Sequence, residues 1–255
     1  MRKRVRFIIS SILLSLGLLA TQLVSVDIRP FAIGLFFLAT YCMSAWALAP
    51  TINGVEWITI VPFPAFYALS VSLFYFLLPG NLFSRLAIIT LFGIGMYALY
   101  LSSNIFAFGK IKTIQLLRAA HAVSSVFLFL LSLFIFNFIF SLRLHPIFNF
   151  LSIALSMFIP ILCATWSVNL EPKVTKKVVY ISVFFSLLLA EIGLGMSFLP
   201  VGLWTVSVYL TAMVYVGFGI VQNYLIDRLF AQTLREYLWL TGFVTLVLLF
   251  LINWK

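Results

Sequence analysis

Acid is what this chain has least of. Its 255 residues include only six Asp and Glu, two His and two Cys, and charged residues of all kinds make up 9%. So few carboxylates and imidazoles leave little equipment for general acid–base chemistry, which relies on positioned groups that titrate near the working pH. The two histidines, His121 and His145, lie in a stretch that reads as a single helix. At 1.5 Å of rise per residue they would stand about 36 Å apart, so they cannot share one metal centre. No HExxH is present, and Cys42 and Cys163 sit singly in apolar runs without a CxxC. That excludes a zinc site of ordinary spacing and a disulfide framework, and both thiols read as small packed hydrophobes.

Other signatures are missing too. The chain has no P-loop, no GxSxG elbow, no GxGxxG turn and no paired-aspartate motif. Its nearest glycine-rich run, Gly193-Leu194-Gly195-Met196-Ser197, falls inside an apolar stretch with no histidine at hand to act as base. No catalytic residue, metal ligand or cofactor is assigned.

What is present is apolar. Hydrophobic residues make up 64% of the chain, 28 of them Phe, against roughly 45–50% in soluble domains. A water-soluble fold has too little polar surface to cover so much aromatic area. Lengths decide between helix and barrel. Runs of about 20 apolar residues match the roughly 30 Å hydrocarbon core as helices, whereas barrel strands need only about 9–11 alternating residues. An all-α, polytopic transmembrane bundle of nine helices is expected, with spans at 7–26, 31–49, 57–78, 86–108, 119–140, 146–168, 178–199, 201–224 and 237–253. With no linker and no internal repeat, residues 1–255 read as one domain.

Net charge is +10. The basic residues form short clusters between apolar runs rather than a face that a duplex could use, so nucleic acid is excluded as a partner and anionic lipid headgroups are favoured. With the N-terminus inside, twelve of the sixteen Lys and Arg fall on the inner side: Arg2, Lys3, Arg4 and Arg6, Lys110, Lys112 and Arg118, Lys173, Lys176 and Lys177, then Arg228 and Arg235. Only Arg29, Arg85, Arg143 and Lys255 fall outside. This bias predicts an N-in, C-out topology. Its softest joint is 50–56, an inner loop with no basic residue. The first apolar run reaches Val26 without a small-x-small cleavage site, so it reads as a span rather than a cleaved signal.

Two stretches depart from simple spans. Residues 226–237, IDRLFAQTLREY, place Ile226, Leu229, Phe230 and Leu234 on one helical face and predict an interfacial amphipathic helix. Residues 50–64 hold Asn53, Gly54, Pro62 and Pro64, which predict a kinked or partly unwound start to the third span.

Polar groups at membrane depth mark the candidate sites. Glu191, fourteenth residue from Val178 in the seventh span, is the one acidic residue placed well inside a span. An ionisable group there costs roughly 2.5–3.5 kcal/mol on translocon scales and calls for a partner or a wet cavity. A short turn centred on Pro200 makes the seventh and eighth spans an antiparallel hairpin, with Thr211 and Tyr215 on a face able to bond the carboxyl. Ser182, Ser186, Ala190, Gly193 and Ser197 form a small-residue stripe on the seventh span, which permits close helix approach. A second candidate gathers Asn104, Arg118 and His121 where the fourth span ends and the fifth begins. Arginine suits a phosphate oxygen pair there; alternatively, Arg118 snorkels to the interface while His121 packs.

The residues of this second region, SSNIFAF at 102–108 and TIQLLRAAHAV at 113–123, resemble a segment of uncharacterised multi-spanning membrane proteins of bacteria. The resemblance implies a bacterial inner-membrane location. It carries over no activity and no functional residue.

The preferred reading is a non-enzymatic membrane subunit or lipid-binding scaffold, with membrane lipids and a protein partner or second copy as its partners. A small-solute or proton-coupled carrier or channel built on Glu191 is the alternative, and a lipid-processing enzyme using Asn104, Arg118 and His121 comes last. The carrier reading requires Glu191→Gln to leave expression intact and abolish pH-dependent flux in proteoliposomes; unchanged flux removes it.

Overall fold

The computed structural model describes residues 3–25, 27–49, 51–52, 54–78, 82–108 and 114–252. Among these residues there is no strand, and nine helical stretches are long and apolar enough to cross a membrane. The elements are α1 (Lys3–Leu23), α2 (Arg29–Leu48), α3 (Glu56–Thr59), α4 (Pro62–Phe76), α5 (Leu82–Ala107), α6 (Ile114–Ser141), α7 (Pro146–Asn169), α8 (Lys176–Met196), α9 (Leu203–Leu225) and α10 (Ala231–Leu251). The short α3 and the longer α4 together make one crossing, residues 56–76. The sequence shows no boundary, yet the chain gathers into two compact units, 1–127 and 128–255. The division falls within α6, an unbroken helix, so no linker composition announces it.

In the first unit α4 is the most enclosed helix. The break before it comes at Ile60 and Val61, where Pro62 and Pro64 follow and supply no N–H to the ladder. Irregular backbone is tolerable at membrane depth only under protein cover, and Ile60 and Val61 are buried. Aromatic rings fill the space around α4. Tyr67 stacks on Phe92 of α5 at 5.8 Å and meets the edge of Phe127 at 5.0 Å, while Phe37 of α2 meets Phe66 at 5.4 Å. Helix α1 lies against α5, with Phe7 stacked on Tyr100 at 5.8 Å. The Tyr100 hydroxyl is paired with Ser44 of α2 at 3.1 Å. A buried phenol keeps a bonding partner in this way, and three helices are tied by one ring.

In the second unit the closest pair is α7 with α8. The small-residue stripe of α8 lies on α7, the preceding helix, rather than across the Pro200 turn on α9. Ser182 and Thr165 are hydrogen-bonded at 2.8 Å, Asn149 donates to Ser197 at 3.1 Å, and a Cβ placed on Gly193 would overlap the Ile153 side chain. Helix α9 packs on α7, α8 and α10.

The segment expected as an interfacial helix at 226–237 divides instead. Residues 226–230 turn the chain, with Asp227 at φ 55° and the Arg228 N–H donating to the Asn223 carbonyl at 2.9 Å. From Ala231 onward the residues belong to α10. The physical reason is continuity. Once the left-handed turn has reversed the chain, Gln232–Tyr237 run in register into the apolar residues that follow, and breaking that helix would orphan backbone groups. Leu248 is the one buried residue of α10.

Two glycines on α8 give a test. Gly193 faces Ile153, whereas a side chain at Gly195 would meet nothing within 4 Å. Gly193→Leu is expected to destabilise by about 1–3 kcal/mol through overpacking, and Gly195→Leu to have no such cost. Thermal unfolding in detergent checks this; equal melting temperatures would contradict the α7–α8 contact.

Candidate functional site

The residues singled out at the start take quite different positions. Glu191 is exposed, on the side of α8 opposite the stripe that packs on α7. Its carboxylate makes no hydrogen bond or ion pair among the described residues. Thr211 of α9 instead donates to the Ser207 carbonyl at 2.8 Å, and the half-exposed ring of Tyr215 meets the edge of Phe129 at 5.4 Å. The structure therefore does not bring Glu191, Thr211 and Tyr215 together through bonds.

Asn104, Arg118 and His121 are likewise not joined. Arg118 is exposed, and the His121 ring lies 5.1 Å from that of Phe106. The Asn104 Oδ1 atom is buried without a partner. Lys110 and Lys112, counted with this region in the charge bias, lie outside the described residues. His145 does not share the helix of His121, which ends at Ser141; it caps the next one, its Nδ1 accepting from the Ile147 N–H at 3.4 Å at the start of α7. Among the described residues no three His, Cys, Asp or Glu side chains are grouped as metal ligands would be.

A site that the sequence reading missed lies elsewhere in the second unit. Helices α8, α9 and α10 leave a groove of about 640 Å³ between them, within the roughly 300–1,000 Å³ range of ligand pockets. Its α8 wall carries Tyr180, Phe184, Leu188 and Ile192, spaced four residues apart so that they share one helical face. Its α9 wall carries Met213, Gly217, Ile220 and Tyr224. Thr241 contributes from α10 and Leu229 from the turn before it.

The groove has local causes. A Cβ at Gly217 would overlap the Phe185 ring, so only the absent side chain lets that ring settle against α9. Helix α10 is held mainly by α9, with Tyr209 and Thr245 hydrogen-bonded at 3.3 Å and the Tyr237 ring over Gly219. The space beside α9 consequently stays open. Polar groups gather at one end. The Lys177 ammonium lies 4.5 Å from the centre of the Tyr224 ring, a cation–π contact. Arg228, adjacent in sequence to the lining residue Leu229, is exposed, as are Lys173 and Lys176. At this end of the unit five basic residues stand against Glu171, Asp227 and Glu236. The rest of the groove is almost wholly apolar.

Some of this had a signature. Tyr180 and Tyr224 beside Lys176 and Lys177 fit the aromatic and basic dressing of a membrane interface. The two glycines at 217 and 219 mark a close approach on α9. Neither reveals an open groove, which depends on how α10 sits against α9.

The exposed, unbonded state of Glu191 makes a prediction. Replacing it by Leu removes an ionisable group from the outer surface of a membrane helix, so Glu191→Leu is expected to hold or raise the melting temperature in lipid nanodiscs. A loss of about 1 kcal/mol or more would mean that the carboxyl is bonded in the membrane.

No curated protein and no solved structure matches the chain. A family model described as "Protein of unknown function (DUF5656)" matches residues 36–251, and the chain, a multi-pass membrane protein by the nine apolar helices among its described residues, belongs to that family.

Proposed function

We propose that this protein is a non-enzymatic membrane scaffold that holds an anionic phospholipid in the α8–α9–α10 groove, with its N-terminus and the Lys177 end of that groove on the inner side of a bacterial cytoplasmic membrane. The observation that carries the reading is the polarity of the groove. Its lining is almost wholly apolar, and at one end Lys177 lies against the lining residue Tyr224 while Arg228 precedes the lining residue Leu229 in sequence. An acyl chain gains by leaving its position in the bilayer only where the wall fits it. A headgroup phosphate adds charge-assisted contacts to lysine and arginine at the mouth. The twelve-to-four distribution of basic residues supports the orientation.

The carrier reading needs the Glu191 carboxyl to face a polar passage. The face of α8 that it occupies looks away from α7, and this weighs against that role. An enzymatic reading has no better support, because Asn104, Arg118 and His121 are not joined by bonds.

The test is retention and stabilisation by defined lipid. Reconstituted in nanodiscs, the protein is expected to melt higher in phosphatidylglycerol than in phosphatidylcholine, since a ligand bound only to the folded state stabilises it by RT ln(1 + [L]/Kd). The Lys177→Gln/Arg228→Gln double variant is expected to lose the preference. Ile220→Trp, which fills the groove, is expected to reduce retention of either lipid after extraction, read by mass spectrometry. If wild type and both variants retain the two lipids equally, the reading fails.

A further inference from the structure

A different set of polar groups lies at the end of the first unit where α1 and α4 finish and α2 and α5 begin. Four side chains are involved, one from each helix: Gln22, Arg29, Tyr75 and Arg85. Arg29 opens α2 and reaches back to α1. Its Nη2 donates to the Val24 carbonyl at 3.2 Å and to the Gln22 carbonyl at 3.4 Å, so it caps carbonyls that the end of α1 leaves open. Its guanidinium lies 5.5 Å from the centre of the Phe76 ring, which brings it to the last turn of α4. Tyr75 precedes that phenylalanine, and Arg85 lies in the first turn of α5, the next helix.

Capping does not use up these groups. Three buried polar atoms here have no partner: Gln22 Nε2, Arg29 Nε and the Tyr75 hydroxyl, the last on a side chain only 2% exposed. All three are donors, and the fourth group, Arg85, is a cation with donors only. Among the described residues no acceptor side chain is hydrogen-bonded to those three atoms. The acidic residue nearest in sequence, Asp27, is exposed and forms no ion pair with either arginine among the described residues. Under a membrane such orphaned donors are unfavourable, because hydrocarbon offers no substitute acceptor. The arrangement is the complement of a compact anion with several acceptor oxygens.

Two arginines so placed also run against the charge pattern of the chain. They are two of the four basic residues that fall on the expected outer side, and the fold sets one against the last turn of α4 and the other in the first turn of α5. Topology alone gives no reason for that concentration, since the positive-inside bias disfavours it.

We infer that Gln22, Arg29, Tyr75 and Arg85 form a binding site for a phosphate group, with Arg29 and Arg85 supplying charge and the Gln22 amide and Tyr75 hydroxyl supplying neutral donors. The phosphate comes either from a lipid headgroup of the adjacent leaflet or from a free phosphate. This site is separate from the groove proposed above and does not rest on it.

The experiment uses the full chain in maltoside micelles, which contain no phosphate. Inorganic phosphate and, separately, dioleoylphosphatidylglycerol are titrated while the melting temperature is followed. A saturable rise is expected with at least one of them. Binding of both assigns a general phosphate site, and binding of the phospholipid alone assigns a headgroup site. Arg85→Gln and Tyr75→Phe are each expected to weaken the half-saturating concentration at least tenfold. Lys177→Gln/Arg228→Gln is expected to leave that site's binding unchanged, which separates it from the groove. Arg29 is left intact because its cap holds α1. If neither probe gives a saturable rise, or if Arg85→Gln and Tyr75→Phe both titrate like wild type, the proposal is overturned.

Discussion

Hydrocarbon cannot accept a hydrogen bond, and nearly everything in this structure follows from that. Each backbone N–H and C=O inside the membrane has to be satisfied by the chain itself. Helices of about 20 residues are the economical solution, and the described residues contain nine such crossings. The crossing made by α3 and α4 obeys the same constraint. Where Pro62 and Pro64 interrupt the ladder between α3 and α4, the loosened backbone at Ile60 and Val61 lies under protein cover. Side-chain hydroxyls follow suit. Most serines and threonines in the helices return their proton to a carbonyl three or four residues back, as Thr40 does to Phe36 and Ser72 to Ala68.

With backbone bonds satisfied within each helix, association has to come from side-chain fit, and the two units achieve it differently. In the first, aromatic rings do most of the filling, around Tyr67, Phe92 and Tyr100. In the second, small residues allow α7 and α8 to approach, and the Thr165–Ser182 and Asn149–Ser197 bonds fix their register. Both modes are expected where lipid tails are as apolar as leucine and provide no hydrophobic drive between helices.

The bundle was legible because hydropathy and length are one-dimensional quantities. The proline break before α4 could be read for the same reason, since a missing N–H is a property of one residue. Pairing was harder. The stripe from Ser182 to Ser197 announced a close contact but not its partner, and Thr165 and Asn149 of α7 are the side chains that meet it. Loop length reports which helices are near, not which faces touch. Glu191 shows the same limit: depth could be estimated by counting from Val178, but whether the carboxyl pointed inward depended on that unresolved choice of face. The 226–237 segment was misread because its amphipathic spacing is equally compatible with the first turns of a spanning helix. The groove had no linear signature at all, because it is made by an absence of packing between elements.

Helix α10 is nearly bare within this chain, held on one side by α9 and joined to it by a turn whose Asp227 sits in a left-handed conformation. Its attachment therefore rests mainly on one neighbour, while its own backbone bonds are no less complete. Pulled mechanically from that helix, the protein would yield α10 as a separate, low-force event before the rest of the second unit gave way. During synthesis the same asymmetry means that residues up to Leu225 can complete most of their packing before α10 leaves the translocation machinery. The last crossing then arrives as an addition to an assembled bundle rather than as part of its nucleus.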